Sequence, residues 1–315
     1  MWEFVGRRLL AAVPVLVGAS VVLFALLYVL PGDPAAFALG DNASPAAIAA
    51  FRHQLGLDLP WYVQYFDWLG RMVTGQFGKS FFNEFPVVTL MDERLPVTLE
   101  LTLGALVVGT LIGVPVGVYS GLNPSTMLGR AIDLLNAVFI AVPVFWLGIL
   151  LQLGVALRLG WLPPGGYVPV GIDFGANIRS MVLPWLTLGV GTAAVLARFL
   201  QAGVRDAVTS EYVLAAEARG LTRIRIVGKH VMRNAVVPAI TAFGIQVGRL
   251  IGGAVLTESV FTLPGLGTLL WTALVQRDYF VIQAVTLFAV AAFILVNLLT
   301  DIAYGVVDAR IREGY

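Results

Sequence analysis

The nearest approach to a phosphate-cradling loop in this sequence is GQFGKS, residues 75 to 80. Gly78, Lys79 and Ser80 fit the end of a Walker A pattern, but the glycine that should open it falls at Val73. Without that glycine the nest of backbone N–H groups is incomplete, and the segment reads as a turn. His53 and His230 are far apart and are placed on opposite faces of the membrane by the topology below, so they do not form one metal site. The chain has no cysteine, which removes thiolate metal sites and disulfides. No nucleophile has a base at motif spacing, so neither a catalytic residue nor a metal ligand set is expected.

What remains is polarity where it is expensive. Arg249 sits in the apolar run from Ala235 to Thr257, where arginine costs about 2.5 to 3.5 kcal/mol even on permissive insertion scales. On a helical wheel Gln246, Arg249 and Gly253 fall within roughly 60° of one another. Gly244, Gly248 and Gly252 form a neighbouring stripe suited to helix packing. One face packs and the adjacent face lines a cavity, with the arginine pairing either with a passing carboxylate or with a carboxylate or carbonyl of the protein. Gly109, Gly113, Gly117 and Gly121 make a second ladder, read as packing. Asp133 is placed to pair with Arg130, and Glu100 and Glu258 are expected as solvated or capping groups.

A polar interruption between two long apolar segments runs from Arg205 to Asn234, RDAVTSEYVLAAEARGLTRIRIVGKHVMRN. Ser210 is placed to cap a short alanine-rich helix, and Gly220 to end it with a left-handed residue. Thr222 then opens a second, amphipathic helix with Ile224, Val227 and Val231 on one side and Arg225, Lys229 and Arg233 on another. Small residues at Ala215, Ala216 and Ala218 allow a partner's groove to close around the first helix. A helix resting on anionic headgroups is the other physical reading.

These residues must be held by membrane helices. The 315 residues are 58% hydrophobic and only 12% charged, with a mean hydropathy of +0.87, which marks an integral membrane protein. Six stretches reach the roughly 20 residues a helix needs to cross the hydrocarbon core: Leu9–Leu30, Leu99–Tyr119, Leu134–Leu157, Met181–Leu200, Ala235–Thr257 and Val281–Val306. The first is read as a retained span, not a cleaved signal. They are continuously apolar, which argues for helices over a β-barrel. Placing the N-terminus inside puts Arg7, Arg8, Arg130, Arg205, Arg219, Arg223, Arg225, Lys229, Arg233, Arg310 and Arg312 on the cytoplasmic face, so both termini and the polar loop are expected there. Basic residues follow sidedness and form no stacking patch for nucleic acid. Residues 31–98 form an extracytoplasmic cap, where Trp61, Tyr65 and Trp68 share a helix face that either packs or meets a partner. No internal repeat or low-complexity linker divides residues 1–315, which read as a single domain including this cap and the polar loop at 201–234.

EYVLAAEARGL, with Ala215, Ala216 and Gly220 at fixed spacing, resembles the ATPase-coupling (EAA) loop of binding-protein-dependent ABC importer permeases. The likeness extends through the chain to the dipeptide, oligopeptide and nickel permease subfamily. RRLLAAVPVLVGASVVLFALLYVLPGDPA, GLDLPWYVQYFDWLG, ERLPVTLELTLGAL, LGWLPPGG, HVMRNAVVPAIT, TESVFTLPGLG and NLLTDIAYGVVDARIR are similar to subfamily blocks in the same order. Two departures stand out: Leu214 replaces the motif's opening glutamate, and the step from Gly220 to Pro238 is long. The resemblance implies an all-α type I importer permease in a bacterial or archaeal inner membrane, with no chemistry of its own. Short peptides would cross it after delivery by an extracytoplasmic substrate-binding protein. It implies a second, homologous permease, forming a heterodimer, and two cytoplasmic ATPases that use ATP and magnesium which this chain does not bind. By the same resemblance Glu211, Tyr212, Ala215, Ala216 and Gly220 couple to an ATPase, with Arg219 and Arg223 at the rim; Gln246, Arg249 and Gly253 are assigned to the substrate path on the wheel above.

Nickel chelates, glutathione-like peptides and sugars are alternative cargoes of the same machinery. An ion-coupled secondary transporter is the alternative from another class, and it would carry intramembrane carboxylates or paired broken helices in two repeats. A scaffold that binds a cytoplasmic partner without transport is the third.

Overall fold

The computed structural model describes residues 2–29, 34–39, 43–54 and 56–307. In chain order the helices are α1 (Trp2–Val29), α2 (Pro34–Leu39), α3 (Pro45–Gln54), α4 (Trp61–Val73), α5 (Val87–Leu122), α6 (Met127–Ala141), α7 (Val144–Leu151), α8 (Phe174–Val208), α9 (Glu211–Ala218), α10 (Arg223–Arg225), α11 (Met232–Phe261), α12 (Leu266–Gln276) and α13 (Tyr279–Val307). Two π-helical segments, Gln152–Arg158 and Ile226–Val231, follow α7 and α10. Among the described residues there is no strand, only an isolated antiparallel bridge between Lys79 and Pro86. The Pro31–Asp33 exit of the first span and Arg310 and Arg312 lie outside the described residues.

Among the described residues four helices are long and apolar enough to cross a membrane, and up to six spans result if each of two bent pairs counts as one. The third expected span is not one helix: α6 and the segment Val144–Arg158 meet at 105°. Proline has no N–H to donate and pushes the preceding residue out of the helical region, and Val142, before Pro143, sits at φ −72°, ψ 127°. The fifth bends by 51° between Leu250 and Gly252. α5 starts at Val87 rather than near Leu99, because its charged first turns and Pro96 stay helical. With 35 residues, α8 is about 52 Å long. That exceeds a hydrocarbon core of about 30 Å, so its end extends beyond the apolar layer.

The chain divides into two compact units. One comprises residues 1–5, 98–263 and 295–315. Here the ladder of α5 lies on α8: a Cβ on Gly113 would come 2.8 Å from the Ala193 carbonyl oxygen, and one on Gly117 2.7 Å from that of Ala197. A Cβ on Gly109 would come 2.8 Å from the Thr192 side chain, and one on Gly121 2.7 Å from the Val204 side chain. Lipid tails are as apolar as leucine, so this association depends on close backbone approach rather than on exclusion of water. Gly244 of α11 is closed by Thr300 of α13, whereas Gly252 faces open space.

Asp133 of α6 pairs with Arg205 of α8 at 3.2 Å and accepts a hydrogen bond from Gln201. Its expected partner Arg130 is not the one used; α8 brings two donors to the carboxylate and fixes α6 against it. Glu258 is fully buried and accepts from the Thr98 hydroxyl at 2.6 Å, and Glu100 accepts from Tyr167 at 2.8 Å, so neither is simply solvated.

The other unit comprises residues 6–97 and 264–294. Tyr65 and Trp68 of α4 pack on Phe24 of α1 with ring centroids 5.4 and 5.8 Å away, and the Trp68 indole donates to Gln283 at 2.9 Å. Trp61, on the expected shared face, is exposed. GQFGKS is a turn: Gly75 and Gly78 have positive φ, and the Ser80 hydroxyl donates to Asp278 at 2.5 Å. No helix opens after Ser80, as a phosphate loop requires.

Candidate functional site

The polar loop is built on the far end of α8. Ser210 has extended backbone angles, but its hydroxyl turns back to the Ala207 carbonyl at 2.5 Å rather than capping α9. Glu211 in the first turn puts negative charge at the positive end of the helix dipole. α9 ends as expected, with Gly220 at φ +74°. The Gly220 N–H bonds to the Glu217 carbonyl at 2.8 Å and the Leu221 N–H to the Ala216 carbonyl at 3.3 Å. This pair is a Schellman motif, and Leu221 completes it by packing on the cluster that holds Ala216.

Val213 and Ala216 face inward, into an apolar cluster with Val204 of α8, Ile226, Val231 and Ala235. Ala215, Glu211, Arg219, Gly220 and Arg223 face out. Ala215 is therefore the alanine available to a partner, and Ala216 the one that seats α9. Leu214 is 58% exposed and Ile224 88%, so the loop presents two apolar side chains to its surroundings. Tyr212 is half exposed and its hydroxyl accepts from the Asn234 side chain at 2.7 Å, tying α9 to α11.

The second helix differs from expectation. After the single turn of α10 the chain runs through a π-helical segment directly into α11. A wider turn shifts the buried register to i, i+5, and the buried pair is Ile226 and Val231 in place of Ile224, Val227 and Val231. Arg225, Lys229 and Arg233 are exposed as anticipated. Among the described residues no ion pair engages Arg219, Arg223, Arg225, Lys229 or Arg233, which leaves a basic, uncommitted rim around α9.

In α11 Gln246 and Arg249 separate. Gln246 is buried, and its Oε1 has no hydrogen-bond partner among the described residues. Arg249 is exposed and makes no ion pair among them. A Cβ on Gly253 would touch Leu188 at 3.1 Å, so this glycine lets α8 approach. An exposed arginine within an apolar helix requires a polar neighbour or an aqueous lining in the membrane. Sequence reasoning missed the Asp133, Gln201 and Arg205 group, whose partners lie far apart in the chain, and the outward turn of Ile224, which a 3.6-residue period hides.

Residues 113–313 match the family described as binding-protein-dependent transport system inner membrane component, and residues 1–102 match the N-terminal membrane component of the same systems. The chain belongs to this family. It is 36% identical over 315 residues to the oligopeptide transport system permease protein AppB of Bacillus subtilis, covering 99% of this chain and 100% of that protein. It is 34% identical to the dipeptide permease DppB of Alkalihalophilus pseudofirmus (99% and 100% covered) and 38% to the glutathione permease GsiC of Escherichia coli K12 (99% of each). A chain of the MetNI methionine ABC transporter, crystallised facing inward, superimposes with a TM-score of 0.59 at 21% identity, covering 71% of this chain and 98% of that one. At that identity the match speaks for the fold alone. Members of this family are transport components rather than enzymes, and this chain is a membrane permease subunit of an ABC importer.

Proposed function

We propose that the chain forms half of a translocation path for short peptides in a bacterial or archaeal inner membrane, paired with a related permease, two ATPases and an extracytoplasmic substrate-binding protein. The observation that carries this reading is α9: a short, solvent-facing helix, closed at Gly220 and seated by Val213 and Ala216 on an extended α8. A partner ATPase, holding ATP and magnesium that this chain does not bind, takes Glu211, Tyr212, Ala215 and Gly220 into a cleft, with Arg219 and Arg223 at its rim. Ala216 acts from beneath by fixing α9 to the bundle, so that movement of α9 is passed to α8 and α11. Gln246, Arg249 and Gly253 belong to the substrate path, where the arginine meets a peptide carboxylate.

The relatives' peptide cargoes support the substrate class, and glutathione uptake belongs in the same test panel as dipeptides. The test is a mild-detergent pull-down of the tagged chain from its native membrane with mass spectrometry. Recovery of a second permease with one or two ATPases is expected. Recovery of this chain alone, from a preparation that preserves other membrane complexes, would overturn the assembly.

A further inference from the structure

The unit formed by residues 6–97 and 264–294 encloses a cavity of about 390 Å³ between α4, the end of α3 and the first turns of α13. That volume lies in the range of small-molecule sites, which combine apolar walls with a few convergent polar groups. Here Phe24, Phe81 and Phe280 supply apolar wall. Two side chains of α13 that line the cavity each carry one unpaired polar atom among the described residues. Gln283 is 3% exposed; its Oε1 accepts from Trp68, which fixes the amide orientation, and its Nε2 has no hydrogen-bond partner among the described residues. Tyr279 is equally buried, and its hydroxyl is likewise unpaired among them. The great majority of buried polar groups have a hydrogen-bond partner, so two unpaired groups lining one cavity call for a polar partner there.

The charges of the exposed side define its chemistry. Asp67 and Arg71, one turn apart on α4, both line the cavity, and neither makes an ion pair among the described residues. One carboxylate and one guanidinium, above an amide N–H and a hydroxyl, match an ammonium and a carboxylate carried on one small molecule.

We propose that the cavity beneath α4, with Asp67 and Arg71 at its exposed side and Gln283 and Tyr279 in its buried part, binds a small zwitterion with an apolar side chain, of the class of free amino acids and dipeptides. The carboxylate is taken by Arg71 and the Gln283 amide, the ammonium by Asp67, and the apolar body by the phenylalanine wall. The site is made of residues other than Gln246, Arg249 and Gly253 and stands on its own geometry, whatever crosses the membrane elsewhere.

The test uses the full chain carrying Arg249→Ala, so that binding at α11 does not contribute, in nanodiscs of phosphatidylglycerol. The probes are the dipeptide Ala-Phe, L-phenylalanine, and N-acetyl-phenylalanine amide, which lacks both charges. Saturable binding of one or both zwitterions, with affinity for the neutral analogue at least tenfold lower, is expected by equilibrium dialysis. Because Asp67 and Arg71 are exposed, Asp67→Asn and Arg71→Gln preserve the fold, and each should weaken zwitterion binding at least tenfold. Gln283→Leu should weaken it too, provided the variant keeps its melting temperature. Absence of saturable binding, equal binding of the neutral analogue, or binding unchanged in both charge variants overturns the proposal. Loss of zwitterion binding when phosphatidylethanolamine is added to the disc would instead assign the cavity to a lipid headgroup and also overturn it.

Discussion

Gly220 holds φ at +74°, a conformation that costs a side-chain-bearing residue about 1–2 kcal/mol. Nothing lies within 4 Å of a Cβ placed there, so the strain is in the backbone and not in crowding. Gly220→Val is expected to insert normally while losing most of the ATPase stimulation of a reconstituted complex, read as phosphate release. The two alanines separate docking from folding. Ala215→Trp, on the exposed face, should leave the melting temperature unchanged and block stimulation. Ala216→Trp, 5% exposed within the cluster under α9, should overpack it and destabilise the protein by about 1–3 kcal/mol.

Tyr167 offers a pH test outside the spans. Burial, and secondarily its bond to Glu100, raise its pKa from 10.0 to about 12. Between those values the unfolded chain ionises while the folded one keeps its proton. The contribution is therefore fully present below pH 10 and is lost as pH rises through the window up to about 12. Phenolate absorbance should show a late-titrating tyrosine that disappears in Tyr167→Phe and titrates earlier in Glu100→Gln. At this scale Gly220 was legible in the sequence, because a glycine after an alanine-rich run has a local conformational meaning. The partners of Asp133 and Glu258 were not, because α8 and α5 supply them across the fold.

At Gly113 and Gly117 helix α5 lies on backbone atoms of α8 that do not give way, so these positions should tolerate no side chain. Gly117→Leu would drive a Cβ to 2.7 Å from the Ala197 carbonyl, and a sharp fall in the yield of folded, monodisperse protein is expected. Gly191→Ala meets nothing within 4 Å and should be neutral or stabilising by up to about 1 kcal/mol. Hydropathy located the spans, and the glycine spacing disclosed the packing face of α5. Neither revealed the breaks. A proline such as Pro143 can bend a helix, but the size of the 105° turn depends on Val142 taking an extended conformation and on what each half packs against. The π-helical segment at Ile226–Val231 was hidden for a related reason, since its wider turn has no local composition signal.

For the whole molecule, family membership and helix content point the same way: a membrane permease subunit of an ABC importer, a transport component rather than an enzyme. The wheel places Gln246 and Arg249 about 60° apart; Gln246 is buried, Arg249 is exposed, and α11 bends by 51° just beyond them. Arg249→Ala is expected to reduce peptide uptake at least tenfold with protein level and α9-dependent ATPase stimulation preserved. The central claim is tested most directly by uptake of a radiolabelled dipeptide into proteoliposomes holding this chain with its co-purified permease, ATPases and binding protein. ATP-dependent accumulation that is lost in Gly220→Val is the predicted result. Uptake that proceeds without ATP and follows an imposed ion gradient, unchanged in Gly220→Val, would contradict it.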